Sequence, residues 1–337
     1  MSSDKKKMIY DCSQFETTID KRQEILKLMA ENGFVIIKDI LTNDECEEMI
    51  DGIWNSFGEI TKDLDDPIDR NKPETWRNFL EMEPFHHIYN KYGIVHADFL
   101  WKIRQNQNIL ELFSLLYDCY PDDLLVSFDG VSVQTPPELF FNNDVMNQKR
   151  KKSWYHVDSS FLNKNVECYQ SWVTGMDVEE GDFTTAFFIG SHKSFAEFGD
   201  RFGIIDKKNF YKLKTPEERE FFEKRHDQVK ITCKRGSLIV WDSRLVHTGV
   251  EPLPNRPNQN TRMICFLSYG PRTTASSNTL KRRIDIYKKR RATTHWSHMH
   301  LRMSPDGKSK KIKTLDTRPI ETNLLGWLVG YNQDCVY

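Results

Sequence analysis

Phe183-Thr184-Thr185-Ala186-Phe187-Phe188-Ile189 is a short run of aromatic and β-branched residues, the composition that packs well on a pleated sheet. Similar runs stand at Leu124-Leu125-Val126-Ser127-Phe128, Tyr169-Gln170-Ser171-Trp172-Val173, Leu238-Ile239-Val240-Trp241 and Met263-Ile264-Cys265-Phe266-Leu267. Gly, Pro, Asn and Asp bound them, so from about residue 122 the chain reads as a β-barrel or sandwich. Residues 195–227 break the pattern. Thr215-Pro216-Glu217-Glu218 starts a helix there, with Pro at the first helical position. The expectation is a helical insertion on one edge of the barrel. Its Phe198, Arg201, Phe202, Phe210 and Tyr211 are expected to form part of a substrate entrance.

Upstream, residues 21–31 carry helical periodicity and Gly33 ends it; Phe34-Val35-Ile36-Ile37 follows as a strand. Thr42 and Glu45 make a capping box that opens a second helix, while residues 62–100 give a mixed signal. The fold class expected is mixed α/β (α+β). A single domain is expected over 1–337, with N-terminal helical and strand support at 1–121, a core at 122–275 and a basic extension at 276–337.

The 337 residues carry a net charge of −1, so overall charge points to no nucleic-acid or membrane partner. Met1-Ser2-Ser3-Asp4-Lys5-Lys6-Lys7 precedes no apolar run, and the chain ends Asp334-Cys335-Val336-Tyr337, which is not a peroxisomal signal. The 7 cysteines are dispersed and odd in number, which fits reduced thiols and a cytoplasmic location better than disulfides or zinc. Lys281, Arg282, Arg283, Lys288, Lys289, Arg290 and Arg291 cluster near Tyr287 and Trp296, and read as a solvated, partly helical face. His295, His298 and His300 lack a carboxylate at strand spacing and read as surface or core histidines.

Trp154-Tyr155-His156-Val157-Asp158 places a histidine and a carboxylate at alternate positions, hence on one face of a strand. His247 follows the run Gly236-Ser237-Leu238-Ile239-Val240-Trp241. Two histidines and one carboxylate on one face of an octahedral ion leave three positions open, as in non-heme Fe(II) oxygenases. Arg262 enters the next strand and could hold a distal carboxylate as a planar fork. Arg256, in a proline-rich loop from Glu251 to Asn258, is its rival. Gln134 and Thr174 lie on strands that could face a bound cofactor, and His192 reads as a turn-stabilising residue.

These residues resemble the phytanoyl-CoA dioxygenase family of 2-oxoglutarate oxygenases. The resemblance runs over roughly residues 20–270, through Glu31–Ile37, Trp154–Asp158, Trp172–Asp177, Gly181–Phe183, Ile189–His192 and Lys234–Asp242 to His247. It implies a double-stranded β-helix (jelly-roll, cupin-like) core with flanking N-terminal helices. It implies Fe(II) on His156, Asp158 and His247, with 2-oxoglutarate as co-substrate, O2, and ascorbate admitted as a reductant. The distal carboxylate of 2-oxoglutarate would lie on Arg262, with Thr174 and Gln134 as further contacts. The reaction implied is hydroxylation of a small molecule, coupled to decarboxylation of 2-oxoglutarate to succinate and CO2. The gap from His247 to Arg262 is longer than the family's usual spacing, and the basic tail lies outside the shared pattern. Two other readings are weighed: a cupin-like metal enzyme without 2-oxoglutarate, and an oxygenase that modifies nucleic acid or protein through the basic segment.

Overall fold

The computed structural model describes residues 8–140, 154–253, 256–316 and 320–331. Met1–Lys7, Pro254, Asn255 and Asp334–Tyr337, used above, lie outside the described residues.

Two sheets build the molecule. The larger runs β2 (Glu16–Thr17), β3 (Phe34–Ile37), β12 (Leu238–Asp242), β8 (Tyr169–Thr174), β14 (Arg262–Pro271), β6 (Val131–Gln134), β4 (Ile88–Tyr89), with β5 (Leu124–Val126) also on β14. The smaller runs β1 (Met8–Ile9), β11 (Gln228–Lys230), β9 (Thr184–Phe188), β13 (His247–Val250), β7 (His156–Val157), β10 (Tyr211–Lys212). Strands expected at 34–37, 124–128, 169–173, 183–189 and 238–241 are all present within a residue or two, and the one expected at 263–267 runs on to Pro271. Strands β1 to β4 come from the N-terminal support, so that segment supplies edges to both sheets rather than only a flank.

Period-two alternation decides what each face buries. On the larger sheet Phe34, Ile36, Trp172, Ile239, Trp241 and Ile264 turn inward and meet Phe187 and Val229 of the smaller sheet. Phe34 and Phe187 stack with ring centres 4.8 Å apart, joining the two sheets. The alternate residues Val35, Ile37, Val173, Leu238 and Val240 turn outward and pack under helices. These include α2 (Asn43–Ile60), α3 (Asp98–Arg104) and α4 (Gln107–Tyr117), which bury Ile53, Phe57, Leu100 and Phe113 there. Helix α2 opens on the expected capping box: Thr42 accepts from the Glu45 N–H and Glu45 reaches back to the Thr42 N–H. Helix α1 (Arg22–Asn32) ends at Gly33, whose φ of 81° is left-handed.

The insertion departs from expectation. Its helices α5 (Phe195–Arg201) and α6 (Pro216–Glu223) lay Phe195, Phe198, Phe221 and Phe222 against Tyr155, Val157, Phe188 and Val246 on the outer face of the smaller sheet. Its aromatics form a satellite core, and of the five residues expected at an entrance only Phe210 lines the cavity described below. Phe198, Phe202 and Tyr211 are spent on that packing.

The C-terminal extension also departs from a merely solvated face. Helix α7 (Ser277–Lys288) exposes Lys281 and Arg282, but Arg283 is fully buried. Its guanidinium donates to the carbonyls of Val126, Ser297, Leu328 and Val329, so it clasps β5 to α8 (Asn323–Val329). Tyr287 and Trp296 are buried as well, and offer no stacking platform for nucleic acid. Among the described residues no helix is long and apolar enough to cross a membrane, and 6 cysteines are free thiols.

Candidate metal and co-substrate site

His156 opens β7 and pairs directly with His247 at the head of β13, which places the two imidazoles side by side. Asp158 follows β7, its N–H held by the Ser243 carbonyl at 2.9 Å. All three side chains are buried, and a ligand atom of each lies within 4.8 Å of the others. The Nε2 atoms of His156 and His247 stand 3.7 and 3.4 Å from Asp158 Oδ2. Each ring puts Nδ1 on a backbone carbonyl two residues upstream, His156 on Trp154 at 3.1 Å and His247 on Leu245 at 2.9 Å. A carbonyl can only accept, so Nδ1 carries the proton and Nε2 presents its lone pair to the centre. Gln170 donates to Asp158 Oδ2 at 2.9 Å and fixes the carboxylate. These outer contacts orient metal ligands in the usual manner of such sites. Burial, reinforced by His247, pulls the His156 pKa down to about 3, so the ring is neutral and ready to ligate at neutral pH.

The trio opens into a cavity of about 760 Å³. Arg262, the first residue of β14, lies in its wall opposite Gln134 in the β14–β6 register. Its Nη1 donates to Gln134 Oε1 at 2.9 Å, and its guanidinium carbon sits 4.6 Å from the Trp172 ring centre. Its Nε is buried with no partner, and among the described residues no carboxylate comes within the 4.0 Å of an ion pair. Burial lowers its pKa to about 10, which leaves it charged. A buried unpaired cation costs several kcal/mol, so this arrangement calls for an anion from outside the protein. The donor set therefore fits both expected groups: two neutral nitrogens and a carboxylate for Fe(II), and an unanswered planar fork for the carboxylate of a 2-oxo acid.

Arg256 lies in a loop, as expected, but is held there by ion pairs. It is buried, with Nη1 on Asp182 at 2.6 Å and Nη2 on Glu138 at 3.2 Å. Both carboxylates are already its partners, so it has no free donor pair to offer a co-substrate. Thr174 does not line the cavity. Its hydroxyl donates to the Met176 carbonyl at 2.6 Å and accepts from the Met176 N–H, and so is spent on the turn after β8. His192 contacts the Ala30 carbonyl at 3.3 Å, in keeping with a role in holding its turn.

Residues 29–252 match the family described as phytanoyl-CoA dioxygenase (PhyH). The chain belongs to the phytanoyl-CoA dioxygenase family. As a member of that family it is of the iron- and 2-oxoglutarate-dependent oxygenase class. It is 23% identical over 274 residues to the Ava biosynthesis cluster protein O of Aspergillus versicolor, covering 79% of this chain and 83% of that protein. Among solved structures it resembles GlcNAc Inducible Gene 2, GIG2 (DUF1479), from Candida albicans, with a TM-score of 0.54 and 13% identity over 80% of this chain and 67% of that one. It also resembles the non-heme alpha ketoglutarate dependent carbocyclase SnoK from nogalamycin biosynthesis, with a TM-score of 0.49 and 14% identity over 76% and 87%.

Beyond the family match lies a feature that spacing did not reveal. His295, from the C-terminal extension, lines the cavity, and its Nε2 is buried without a partner. Asp129, just before β6, lines it too; burial pushes its pKa up to about 6. Residues 76–89, within the 62–100 stretch of mixed signal, supply much of the remaining wall. There His86, held at a φ of 52°, stacks on Trp154 at 4.5 Å, and Trp154 stacks on His156 at 4.2 Å and 4°. This aromatic pile braces a ligand histidine from the cavity mouth.

Proposed function

We propose that this family member hydroxylates a small molecule, with iron on His156, Asp158 and His247 and 2-oxoglutarate anchored by Arg262 and Gln134. The observation that carries the reading is the buried Arg262 guanidinium, unanswered by any described carboxylate, in the wall of the cavity that holds the His-Asp-His trio. Bound iron would supply the activation of O2, coupled to loss of CO2 from the 2-oxo acid. The chain's own residues set the geometry. His156, Asp158 and His247 occupy one side of the centre and leave the other side to co-substrate and O2. Gln170 and the Trp154 and Leu245 carbonyls hold those three in place. Arg262 fixes the far end of the co-substrate, and the aromatic wall limits water. A carboxylate at position 158 fills the ligand position and favours transfer of hydroxyl over transfer of an exogenous halide. Ascorbate would act only as a reductant.

The two sheets with their helical cover are read as a double-stranded β-helix, and the whole chain as one dioxygenase domain. The dispersed free thiols support a cytoplasmic location. A cupin-like enzyme without 2-oxoglutarate would leave Arg262 buried and unpaired for no purpose. A nucleic-acid or protein substrate finds little support in a basic segment whose Arg283, Tyr287 and Trp296 are buried. The test is binding of 2-oxoglutarate to the iron-loaded protein by calorimetry. One site is expected in the wild type, and binding that survives unchanged in Arg262→Ala counts against the anchoring role.

A further inference from the structure

Two polar side chains at the cavity wall have no part in holding iron or 2-oxoglutarate. The backbone places them together. Phe128 and Thr293 exchange two hydrogen bonds, Phe128 N–H to Thr293 Oγ1 and Thr293 N–H to the Phe128 carbonyl, each 2.9 Å. One residue beyond Phe128 is Asp129; two beyond Thr293 is His295, and both line the cavity. The Asp129 backbone is fixed from behind by Arg104, whose Nη2 donates to its carbonyl at 3.0 Å. One carboxylate oxygen accepts from the Gly130 N–H at 2.8 Å, and the other has no protein partner among the described residues. The His295 imidazole, with its buried unpartnered nitrogen, offers a complementary group. It lines the same cavity as Asp158 and His247. A buried polar nitrogen left unpaired is costly, so His295, together with the half-buried Asp129 oxygen that meets no protein donor, is a candidate for holding a ligand's polar group.

Part of the rim toward solvent is apolar. Phe85, Leu80 and Phe210 line the cavity and are also 67%, 47% and 43% exposed, so they form a greasy rim. Arg262 is the one Lys or Arg among the described lining residues, and the proposed co-substrate uses it. An anionic group beside Asp129 and Asp158 would meet two carboxylates and no spare cation.

We propose that the cavity takes an amphipathic molecule whose hydrogen-bond-donating group, a hydroxyl or an amine, is seated between the Asp129 carboxylate and the His295 imidazole, with its apolar body running outward along Trp154, Phe210 and Phe85. A hydroxyl donates to Asp129 and shares a second hydrogen bond with His295; an amine donates to both or, protonated, pairs with Asp129. This rests on the oxygenase reading above, since it places the apolar body's first carbons next to the metal face.

The test is calorimetry on iron- and 2-oxoglutarate-loaded protein without oxygen, with 1-decanol, decylamine and decanoate as matched probes. Decanol and decylamine are expected to bind at least about tenfold more tightly than decanoate. Asp129→Asn should cost decylamine about tenfold and His295→Phe should cost decanol about tenfold, while Phe210→Ala weakens all three probes alike. Decanoate binding as tightly as decanol, no binding by either donor probe, or full decylamine affinity in Asp129→Asn overturns the proposal. If a variant fails to fold, the wild-type ranking decides alone. Succinate release by the wild type is scored separately: its absence removes the oxygenase reading, whereas the probe ranking bears only on substrate class.

Discussion

Arg262 and Gln134 face each other across the pairing of β14 with β6, and the amide oxygen takes one guanidinium donor at 2.9 Å. The contact aims the fork without neutralising it. Removing Arg262 should therefore abolish anion recognition while leaving the sheet paired. In Arg262→Ala the apparent KM for 2-oxoglutarate is expected to rise at least about tenfold, some 1.4 kcal/mol. Gln134→Ala should raise it less, because the charge stays. Steady-state succinate release against 2-oxoglutarate concentration checks both; an unchanged KM in Arg262→Ala would assign the anchor elsewhere.

Arg256→Ala should behave in the opposite manner. Its guanidinium bridges Asp182 and Glu138 in the interior, so truncation strands two carboxylates. The expected loss is of stability, about 3–5 kcal/mol, seen as a lower denaturation midpoint. The KM for 2-oxoglutarate should move by less than about threefold. A large KM change with normal stability would reverse the roles of the two arginines.

Gln170 tests the orientation of the metal carboxylate. It donates to Asp158 Oδ2 at 2.9 Å and is buried. Gln170→Leu should weaken Fe(II) binding by roughly 10- to 100-fold. Titration of apo-protein with Fe(II) under anaerobic conditions measures it, and wild-type affinity in the variant would show that Asp158 needs no such support.

Two histidines away from the metal should set the acid limit of the fold. Burial, then Arg104, lowers His96 to about 3, and burial lowers His298 to about 4. Unfolded, each titrates near 6.5, so between that value and their folded pKa values the unfolded chain holds more protons. Stability is thus complete above about pH 6.5 and is lost as pH falls, by up to about 1.4 kcal/mol per unit for each histidine. Denaturant midpoints from pH 7 to 4.5 should show the decline, with a shallower slope in His96→Gln. An identical slope would exclude His96 as a contributor.

Much of this site was legible from local pattern. His156 and Asp158 stand at alternate positions, Arg262 begins an apolar run, and Thr42 with Glu45 spell a cap; each signal is contained within a few residues. What could not be read depends on long-range placement. Arg256 reads as a loop residue because its partners, Glu138 and Asp182, are far away in sequence. Thr174 has the parity of an inward residue, yet the following turn claims its hydroxyl. His295 reaches the cavity because Thr293 is pinned to Phe128, a pairing that no spacing rule encodes. The insertion's aromatics resemble a lid in composition, but the smaller sheet's outer face needed covering, and they cover it.

The central claim is that His156, Asp158 and His247 hold the iron that couples 2-oxoglutarate to oxygen. The direct measurement is succinate released from 2-oxoglutarate by purified protein supplied with Fe(II) and O2, compared with His247→Ala. The wild type is expected to release succinate slowly even without its substrate, and the variant to release none above background. Wild-type succinate release from His247→Ala would contradict the assignment.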